Sequence, residues 1–272
     1  MPQTCDYSDT DYKANFWENV DRVYEDMCER MALQKLMPER GRAILDIGAG
    51  FGRLTNEYID RFDDVVLFDY AKNLLIQAEQ EWVLKQNKSY VRCVQGDARR
   101  LPFSDQAFDV IVSVRMLHHI LEVEQVFAEI HRVLRPGGCA VLEFANKRNA
   151  KELLRSLLRR TNAHPFSWEP YRRGDGVFYN FHPDFMVDNL KRVGLKVERC
   201  LSVSNFRLGF AKKFLDIERL LDWEDRLQES LGKWTFGPSV FVKVTRAPQS
   251  AALPRADCIP ERSNEKFGRE FA

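Results

Sequence analysis

Residues 44–55 read ILDIGAGFGRLT, an apolar run containing Asp46 that leads into glycines at positions 48, 50 and 52. Because glycine lacks a Cβ atom, such a loop lets a ligand come close to the backbone. In open α/β sheets, ligands bind beside loops at the carboxyl ends of strands. The stretch therefore predicts a buried strand followed by a cofactor-binding loop. A dinucleotide and S-adenosylmethionine both bind at such loops, and they imply different chemistry.

Predicted strands and helices alternate from residue 43 to residue 146. Short apolar, β-branched segments predict strands at 43–47, 65–69, 90–97, 108–114 and 139–146. Helical periodicity predicts helices between them at 52–62, 72–87 and 122–138, the last of which is expected to stop at Pro136 and Gly137. This alternation indicates a doubly wound α/β fold, with a mostly parallel sheet covered on both faces.

The regular alternation of strands and helices does not continue outside residues 43–146. The periodicity there predicts further helices at 11–37, 183–194 and 207–231, and further strands at 195–204 and 239–246. Pro38 ends the first of these helices. The segment 247–272 has prolines and charges but little periodicity, which predicts a disordered tail.

Composition is typical of a globular protein, with 44% hydrophobic residues and a formal net charge of only +1 in 272 residues. This charge gives no general attraction to nucleic acid. None of the six cysteines forms a Cys-x-x-Cys pair, so we expect no metal site and a reducing, cytoplasmic compartment. The polar N-terminus does not resemble a signal peptide, and no apolar run approaches the length of a membrane span.

The glycine spacing favours one of the two ligands. A dinucleotide-binding loop reads G-x-G-x-x-G, but the third glycine of this chain comes one residue early and Arg53 stands in its place. A dinucleotide needs a seat for its pyrophosphate at the helix N-terminus. S-adenosylmethionine has no phosphate, so close contact with the backbone matters more. The spacing therefore leans towards the methyl donor.

Acidic residues stand at three successive strand ends. Asp46 lies at the end of the first predicted strand, Asp69 ends the second, and Asp97 follows the third. A carboxylate at the second strand can accept hydrogen bonds from both ribose hydroxyls, and an acid after the third can accept one from an adenine amino group. Each acid alone could equally be an ordinary helix N-cap. Three of them in register with a glycine loop favour an adenosine site.

These stretches, together with VLFDYAKNLL, VQGDARRLPFSDQAFDVIVSVRMLHHI and VLRPGG, resemble the successive motifs of class I S-adenosylmethionine-dependent methyltransferases. The branch that they resemble contains the ubiquinone and menaquinone C-methyltransferases. The resemblance covers residues 40–146. It implies a seven-stranded Rossmann-like sheet whose last strand is antiparallel, and S-adenosylmethionine as the cofactor.

The resemblance also implies roles for residues at the strand ends. The glycine loop and Asp46 would line the methionine part, Asp69 would hold the ribose, Asp97 and Ala98 would flank the adenine, and 113–115 would lie near the transferred methyl group. The full predicted cofactor-binding set is Asp46, Gly48, Ala49, Gly50, Gly52, Asp69, Tyr70, Asp97, Ala98, Ser113, Val114 and Arg115. Arg115 has two interpretations, as a ligand of a carboxylate or as a surface residue at a strand end.

A general base is needed if the acceptor is a hydroxyl group or an activated carbon. His119 and His118 follow the fourth strand and His182 lies in YNFHP, so these three are the predicted catalytic residues, with His164 as a rival. The alternative for His118 and His119 is a packing role where helix and loop meet. Methyl transfer otherwise requires only that two reactants are positioned and water is excluded.

The segment 147–173 carries eight basic residues against two acidic ones, with leucines at 153, 154, 157 and 158. Three interpretations remain open. It is a lid helix with a solvated basic face, an interfacial helix in transient contact with an anionic membrane surface, or a clamp for an anionic group of the acceptor. With the aromatic residues that follow it, the segment forms an insertion at 147–182 that the family pattern does not include. The resemblance therefore implies no particular acceptor.

The sequence predicts methyl transfer to a small, partly apolar acceptor, on carbon or oxygen. The predicted domains are a cap helix (1–40), a methyltransferase domain (41–246) with cap insertions at 147–182 and 205–237, and the tail. Two rivals remain: a methyltransferase-like binding or scaffold protein without turnover, and a nicotinamide-dependent oxidoreductase. Nucleic acid is disfavoured as the acceptor, because SVRMLHH follows the fourth strand in place of an Asn/Asp-Pro-Pro-aromatic motif.

Overall fold

A seven-stranded sheet forms the centre of the computed structural model, which describes residues 22–172, 178–207 and 216–246. The predictions for 11–21, for most of 207–216 and for the tail after 246 lie outside the described residues. The strands of the sheet are β1 (Gly41–Ile47), β2 (Phe62–Asp69), β3 (Val91–Gln95), β4 (Phe108–Ser113), β5 (Leu134–Ala145), β8 (Leu195–Val203) and β9 (Ser239–Arg246). The short strands β6 (Tyr171–Arg172) and β7 (Tyr179–Asn180) pair with each other.

The strand order is β3-β2-β1-β4-β5-β9-β8. The first five strands in this order are parallel, whereas β9 is antiparallel to both β5 and β8. The predicted seven-stranded sheet with an antiparallel last strand is therefore confirmed. Because β1 to β4 are parallel neighbours, their carboxyl ends meet at one edge of the sheet.

Six α-helices accompany these strands in the described residues. They are α1 (Val23–Leu36), α2 (Lys72–Glu79), α3 (Val123–Val133), α4 (Ala150–Leu157), α5 (Pro183–Arg192) and α6 (Ile217–Gly232). A π-helical turn at Gln80–Lys85 continues α2. None of the described helices is long and apolar enough to cross a membrane.

The sheet buries apolar side chains on both faces. Along β1, Leu45 and Ile47 join a core shared with α3 and α5, while Ile44 joins a second core shared with α1, α2 and α6. This alternation is the two-residue period of a strand. Helices on both faces confirm the doubly wound architecture.

The prediction of an α-helix at 52–62 is wrong. The segment forms two 3-10 turns, Thr55–Glu57 and Ile59–Arg61, because its N–H groups donate three residues back, as from Glu57 to the carbonyl oxygen of Leu54 at 2.9 Å. The carbonyl oxygen of Arg53, which an α-helix would use, accepts instead from Arg30 Nη2 at 2.9 Å. A contact with α1 thus replaces the helical bond.

The helix predicted at 122–138 is shorter than expected. It ends at Val133, and β5 already begins at Leu134. A proline disfavours the helical conformation of the residue before it, which is Arg135. The RPGG stretch therefore belongs to the start of the strand, where Leu134 pairs with Phe108 across a β-bulge.

A buried carboxylate joins α1, α6 and the end of β8. Glu224 is fully buried and accepts hydrogen bonds from the Tyr24 hydroxyl at 2.8 Å and from the backbone N–H groups of Ser204 at 2.7 Å and Asn205 at 3.0 Å. Burial raises the pKa of Glu224 above its ordinary value. Buried donors without an acceptor are costly, so this carboxyl group holds three distant segments together.

We expect Glu224→Ala to lower the free energy of unfolding by about 3 kcal/mol or more, since it strands three buried donors. Urea denaturation followed by circular dichroism measures the loss. The control is Glu229→Ala on the exposed side of the same helix, where the Arg199 ion pair is worth about 0.5 kcal/mol or less. Equal losses for the two variants would contradict the assigned role.

Candidate active site

The glycine loop after β1 has a left-handed backbone at each of its three glycines. Gly48, Gly50 and Gly52 have φ values of +82°, +56° and +78°. The N–H groups of Gly48 and Ala49 donate to the carbonyl oxygen of Phe68 at 2.8 and 3.1 Å, which fixes the loop against β2. A Cβ atom on Gly48 would lie only 2.5 Å from the Cβ atom of Met116. Glycine at 48 therefore lets the loop approach the segment after β4.

A cavity opens at the carboxyl ends of the parallel strands, with a volume of about 1080 Å³ including its mouth. The predicted residues that line it are Asp46, Gly48, Ala49, Gly50, Asp69, Tyr70, Asp97, Ala98, Val114, Arg115 and His119. The three acids from successive strand ends therefore share one cavity with the glycine loop.

Four predicted site residues do not line this cavity. Gly52 packs against Trp82, Ser113 is fully buried, and His182 accepts a hydrogen bond from the Asp184 N–H group at 3.2 Å as the N-cap of α5. Burial lowers the pKa of His182. His118 also lies outside the lining. His164 is exposed.

The Asp69 carboxylate connects the glycine loop to β2. One oxygen accepts from the Gly50 N–H group and the other from the Ala71 N–H group, both at 2.8 Å. Asp69 therefore holds the glycine loop against the end of β2 at the wall of the cavity.

Asp46 is the most deeply buried acid of the cavity, with an exposed fraction of 3%. Its Oδ2 accepts a hydrogen bond of 2.5 Å from the Tyr58 hydroxyl, which also lies 3.3 Å from Thr55 Oγ1. Burial raises the pKa of Asp46 to about 7, although the Tyr58 bond acts in the opposite direction. This carboxyl group therefore changes charge near neutral pH.

Asp97 is held by an arginine that the sequence pattern did not single out. Arg99 donates from Nη2 to Asp97 Oδ2 at 2.6 Å and from Nε to Oδ1 at 3.0 Å, and it also reaches Glu122 at 3.4 Å. The hydrogen bonds from Arg99 hold the pKa of Asp97 below its ordinary value. Asp97 is thus ionised at neutral pH and oriented at the cavity wall.

Glu29 of α1 joins two arginines that line the cavity. Its carboxylate, 1% exposed, accepts from Arg53 Nη2 at 2.6 Å and from Arg115 Nε at 2.8 Å. Arg53 also pairs with Asp26. Burial alone would raise the pKa of Glu29, but the two guanidinium groups lower it below the ordinary value. The carboxylate is therefore charged and neutralises part of the positive charge beside the cavity.

A second buried acid fixes the backbone after β4. Glu143, 4% exposed, accepts from the Arg115 N–H group at 2.8 Å and from Ser239 Oγ at 2.6 Å. Arg115 has the uncommon φ value of +59°. Burial raises the pKa of Glu143. Neither Glu29 nor Glu143 was predicted, because their partners lie 86 and 28 residues away in sequence.

Two histidines and an aromatic ring meet beside the cavity. The rings of His118 and His119 are 4.1 Å apart, and the Phe178 ring lies 5.7 Å and 4.9 Å from them. Burial, with the charges of His119 and Arg115, depresses the pKa of His118 well below its ordinary value. Of the three predicted catalytic histidines, His119 is the one that lines the cavity.

Within the described ranges, no group of three histidine, cysteine or acidic side chains could hold a metal ion. The four cysteines of these ranges (28, 93, 139 and 200) are free thiols.

Comparison with known proteins matches residues 45–142 to the methyltransferase-domain family. The ubiquinone/menaquinone biosynthesis C-methyltransferase UbiE of Stutzerimonas stutzeri is 34% identical over 125 residues, 44% of this chain and 49% of that protein. The O-methyltransferase cnsE of Penicillium expansum is 30% identical over 133 residues, 47% of this chain and 48% of the relative. The chain thus spans about half the length of these curated relatives.

A solved structure shows the same fold over more of the chain. A putative S-adenosylmethionine-dependent methyltransferase from Listeria monocytogenes superposes with a TM-score of 0.58, covering 82% of this chain and 98% of that one. The sequences are 14% identical, so this likeness concerns the fold.

We expect Gly52→Ala to destabilise the protein by about 2–4 kcal/mol, since it adds left-handed strain to overpacking. A Cβ atom at 52 would lie 2.5 Å from Trp82 Nε1. Gly137→Ala is the matched control, because φ is +80° there but no atom lies within 4 Å of the added Cβ. That variant should lose only about 1 kcal/mol. Thermal unfolding compares the two, and equal losses would exclude a packing role for Gly52.

Proposed function

We propose that this chain is a class I S-adenosylmethionine-dependent methyltransferase, that its cavity binds the methyl donor and that it methylates a small, partly apolar acceptor; the domain match and the fold support this. The observation that carries the proposal is the meeting of Asp46, Asp69 and Asp97 with the glycine loop in one cavity. Each acid can accept from a different part of the donor, which makes the arrangement specific.

Asp69 is the proposed ligand of the ribose hydroxyls. Its carboxylate lines the cavity at the end of β2 and fixes the glycine loop through the Gly50 N–H group, and a carboxylate can accept hydrogen bonds from both hydroxyl groups of a vicinal pair. Asp97, with Ala98 beside it, is the proposed adenine ligand, since Arg99 keeps its carboxylate ionised. The remaining acid, Asp46, lies beside the glycine loop, and we assign it to the ammonium group of the methionine part.

The transfer step places few demands on the protein. The bound donor would supply a methyl group for in-line displacement, in which the acceptor would form a bond to the methyl carbon as the carbon–sulfur bond breaks and the sulfur leaves as a neutral thioether. Positioning of the acceptor and exclusion of water supply the rate enhancement. If the acceptor must lose a proton, His119 is the proposed base, because it lines the cavity and a neutral imidazole accepts protons near pH 7.

The class of acceptor is proposed from the matched relatives and from the segments outside the family match. The relatives named above are a C-methyltransferase and an O-methyltransferase, so carbon and oxygen both remain within the proposal. The family match ends at residue 142, before the insertion that contains α4. We therefore assign acceptor selection to α1, the 147–182 insertion and α6. The free thiols in the described ranges support a reducing, cytoplasmic location.

A labelled-donor screen tests turnover and finds the acceptor. Purified protein is incubated with S-adenosylmethionine labelled in its methyl group and with a lipid extract or a polar extract of cells. We expect label to enter a product from the lipid extract, since the proposed acceptor is partly apolar. Donor binding without labelled product in either extract would favour the rival interpretation, a binding protein without turnover.

We expect Asp69→Ala to abolish measurable donor binding in calorimetry, because it removes the proposed ribose ligand. Asp63→Ala, on an exposed position of the same strand, is the control and should bind the donor normally. Thermal unfolding of both variants checks that the sheet is intact. Unchanged affinity in Asp69→Ala would refute the ribose assignment.

Donor affinity should depend on pH through Asp46. The raised pKa of about 7 means that the carboxylate forms as pH increases through neutrality, and the anion attracts the donor ammonium group. Affinity should therefore rise by up to about tenfold between pH ~6 and ~8. Asp46→Asn should flatten this dependence.

Tyr58→Phe should move the dependence to higher pH, since the Tyr58 hydroxyl favours the ionised form of Asp46. Calorimetric titrations across this range measure all three proteins. The same pH dependence in Asp46→Asn as in the parent protein would exclude Asp46 as the titrating group.

A further inference from the structure

Helix α4 turns its leucines outward. The side chains of Leu154, Leu157 and the C-cap residue Leu158 are 57%, 80% and 52% exposed, and none of the helical residues is buried. The acidic side chain of Glu152 is only 18% exposed. A surface helix ordinarily faces the protein with its apolar stripe. Glu152 is therefore better covered than Leu154, Leu157 and Leu158, whereas Leu153 is half-buried.

Polar contacts hold the helix in this orientation. Asn149 caps its N-terminus by accepting from the Glu152 N–H group at 3.0 Å, and Glu152 accepts from Thr161 Oγ1 at 2.8 Å on the covered side. The Ala150 N–H group donates to the carbonyl oxygen of Phe236 at 2.9 Å. These polar contacts attach α4 to the rest of the protein without Leu154, Leu157 or Leu158, so the helix can keep these three side chains in solvent.

Basic residues surround the outward leucines. Lys151, Arg155, Arg159 and Arg160 are all exposed, and among them Arg155 pairs with Glu152 at 3.2 Å. Trp234, 76% exposed, lies two residues before the Phe236 carbonyl that binds the helix N-terminus. Leucine, tryptophan and clustered cations are the composition of helices that lie in the interface of an anionic membrane.

The helix lies at the edge of the sheet that holds the cavity. It follows the carboxyl end of β5, and four residues separate Ala145 from its first residue, Ala150. The same insertion reaches the cavity through Phe178, whose ring lies 4.9 Å from that of His119. The exposed leucines and the cavity thus belong to one end of the molecule.

We propose that α4 docks on an anionic lipid surface, with its three leucines at the boundary of the acyl chains and the surrounding cations at the lipid phosphates. The eight-residue helix is about 12 Å long, far too small for a stable protein interface of about 800 Å² per partner. Its local excess of positive charge complements anionic headgroups. Docking is independent of methyl transfer; only its consequence, entry of an apolar acceptor from the lipid, rests on the proposed function.

Co-sedimentation with vesicles tests the docking. The full chain is mixed with phosphatidylcholine vesicles that contain or lack phosphatidylglycerol. We expect binding to the anionic vesicles, weakened by salt, and little binding to the neutral ones. The double variant Leu154→Gln/Leu157→Gln should bind about tenfold more weakly, and Arg159→Gln/Arg160→Gln should lose the preference for anionic lipid.

Leu84→Gln is the matched control, because Leu84 is 70% exposed in the π-helical turn after α2. Its vesicle binding should equal that of the parent protein. Lack of binding to anionic vesicles, or equal losses in the Leu84 and α4 variants, would overturn the proposal. A dimer of the parent protein in sedimentation without lipid would also overturn the proposal if the double leucine variant abolished that dimer. A second copy of the chain would then cover the leucines.

Donor calorimetry on the same variants separates the two proposals. Intact donor binding with lost vesicle binding is the expected result for the α4 variants and supports docking alone. A parent protein that binds vesicles but not the donor would overturn the proposed function and leave the docking proposal standing.

Discussion

The cavity depends on one buried carboxylate, Glu29, between the guanidinium groups of Arg53 and Arg115. Without it, the positive charges of Arg53 and Arg115 beside the cavity would be less compensated, which would disfavour binding of a ligand that carries a sulfonium group. Glu29 lowers this charge and ties α1 to both the glycine loop and the end of β4. Arg53 occupies the place where a dinucleotide-binding loop has glycine, so the residue that alters the motif also binds α1 through Glu29.

The sequence predicts the donor side of the site because its signals are local. Strand ends, glycines and the acids beside them lie within a few residues of one another, and parallel strands bring their carboxyl ends to one edge. The 3-10 turns after Gly52 were not predictable, since Arg30 takes the carbonyl oxygen that a helix would need. The same holds for Glu29 and Glu143, whose roles depend on partners that only the folded chain brings close.

The acceptor side obeys different constraints. The family match covers 45–142, whereas α4, α5 and α6 lie beyond it. His182 shows why catalytic residues are hard to predict in this part of the chain. It was predicted as a catalytic residue, but in the structure it caps the N-terminus of α5. Side chains that pack an insertion against a sheet carry no periodic signal for their partners. The sequence likewise does not predict that the leucines of α4 face solvent. Only the structure shows which side of the helix is covered.

The Glu224 contact also has a consequence for biosynthesis. Tyr24 and Glu224 are separated by 200 residues, so α1 leaves the ribosome long before its partner exists. At about 5–20 residues per second, that interval is roughly 10–40 seconds. During this time α1, which carries Glu29, is not yet held by Glu224. The contacts of Glu29 with the arginines beside the glycine loop therefore lack this support. The nascent chain can therefore form its central strands early, but the contacts around the cavity are complete only after α6 has been synthesised.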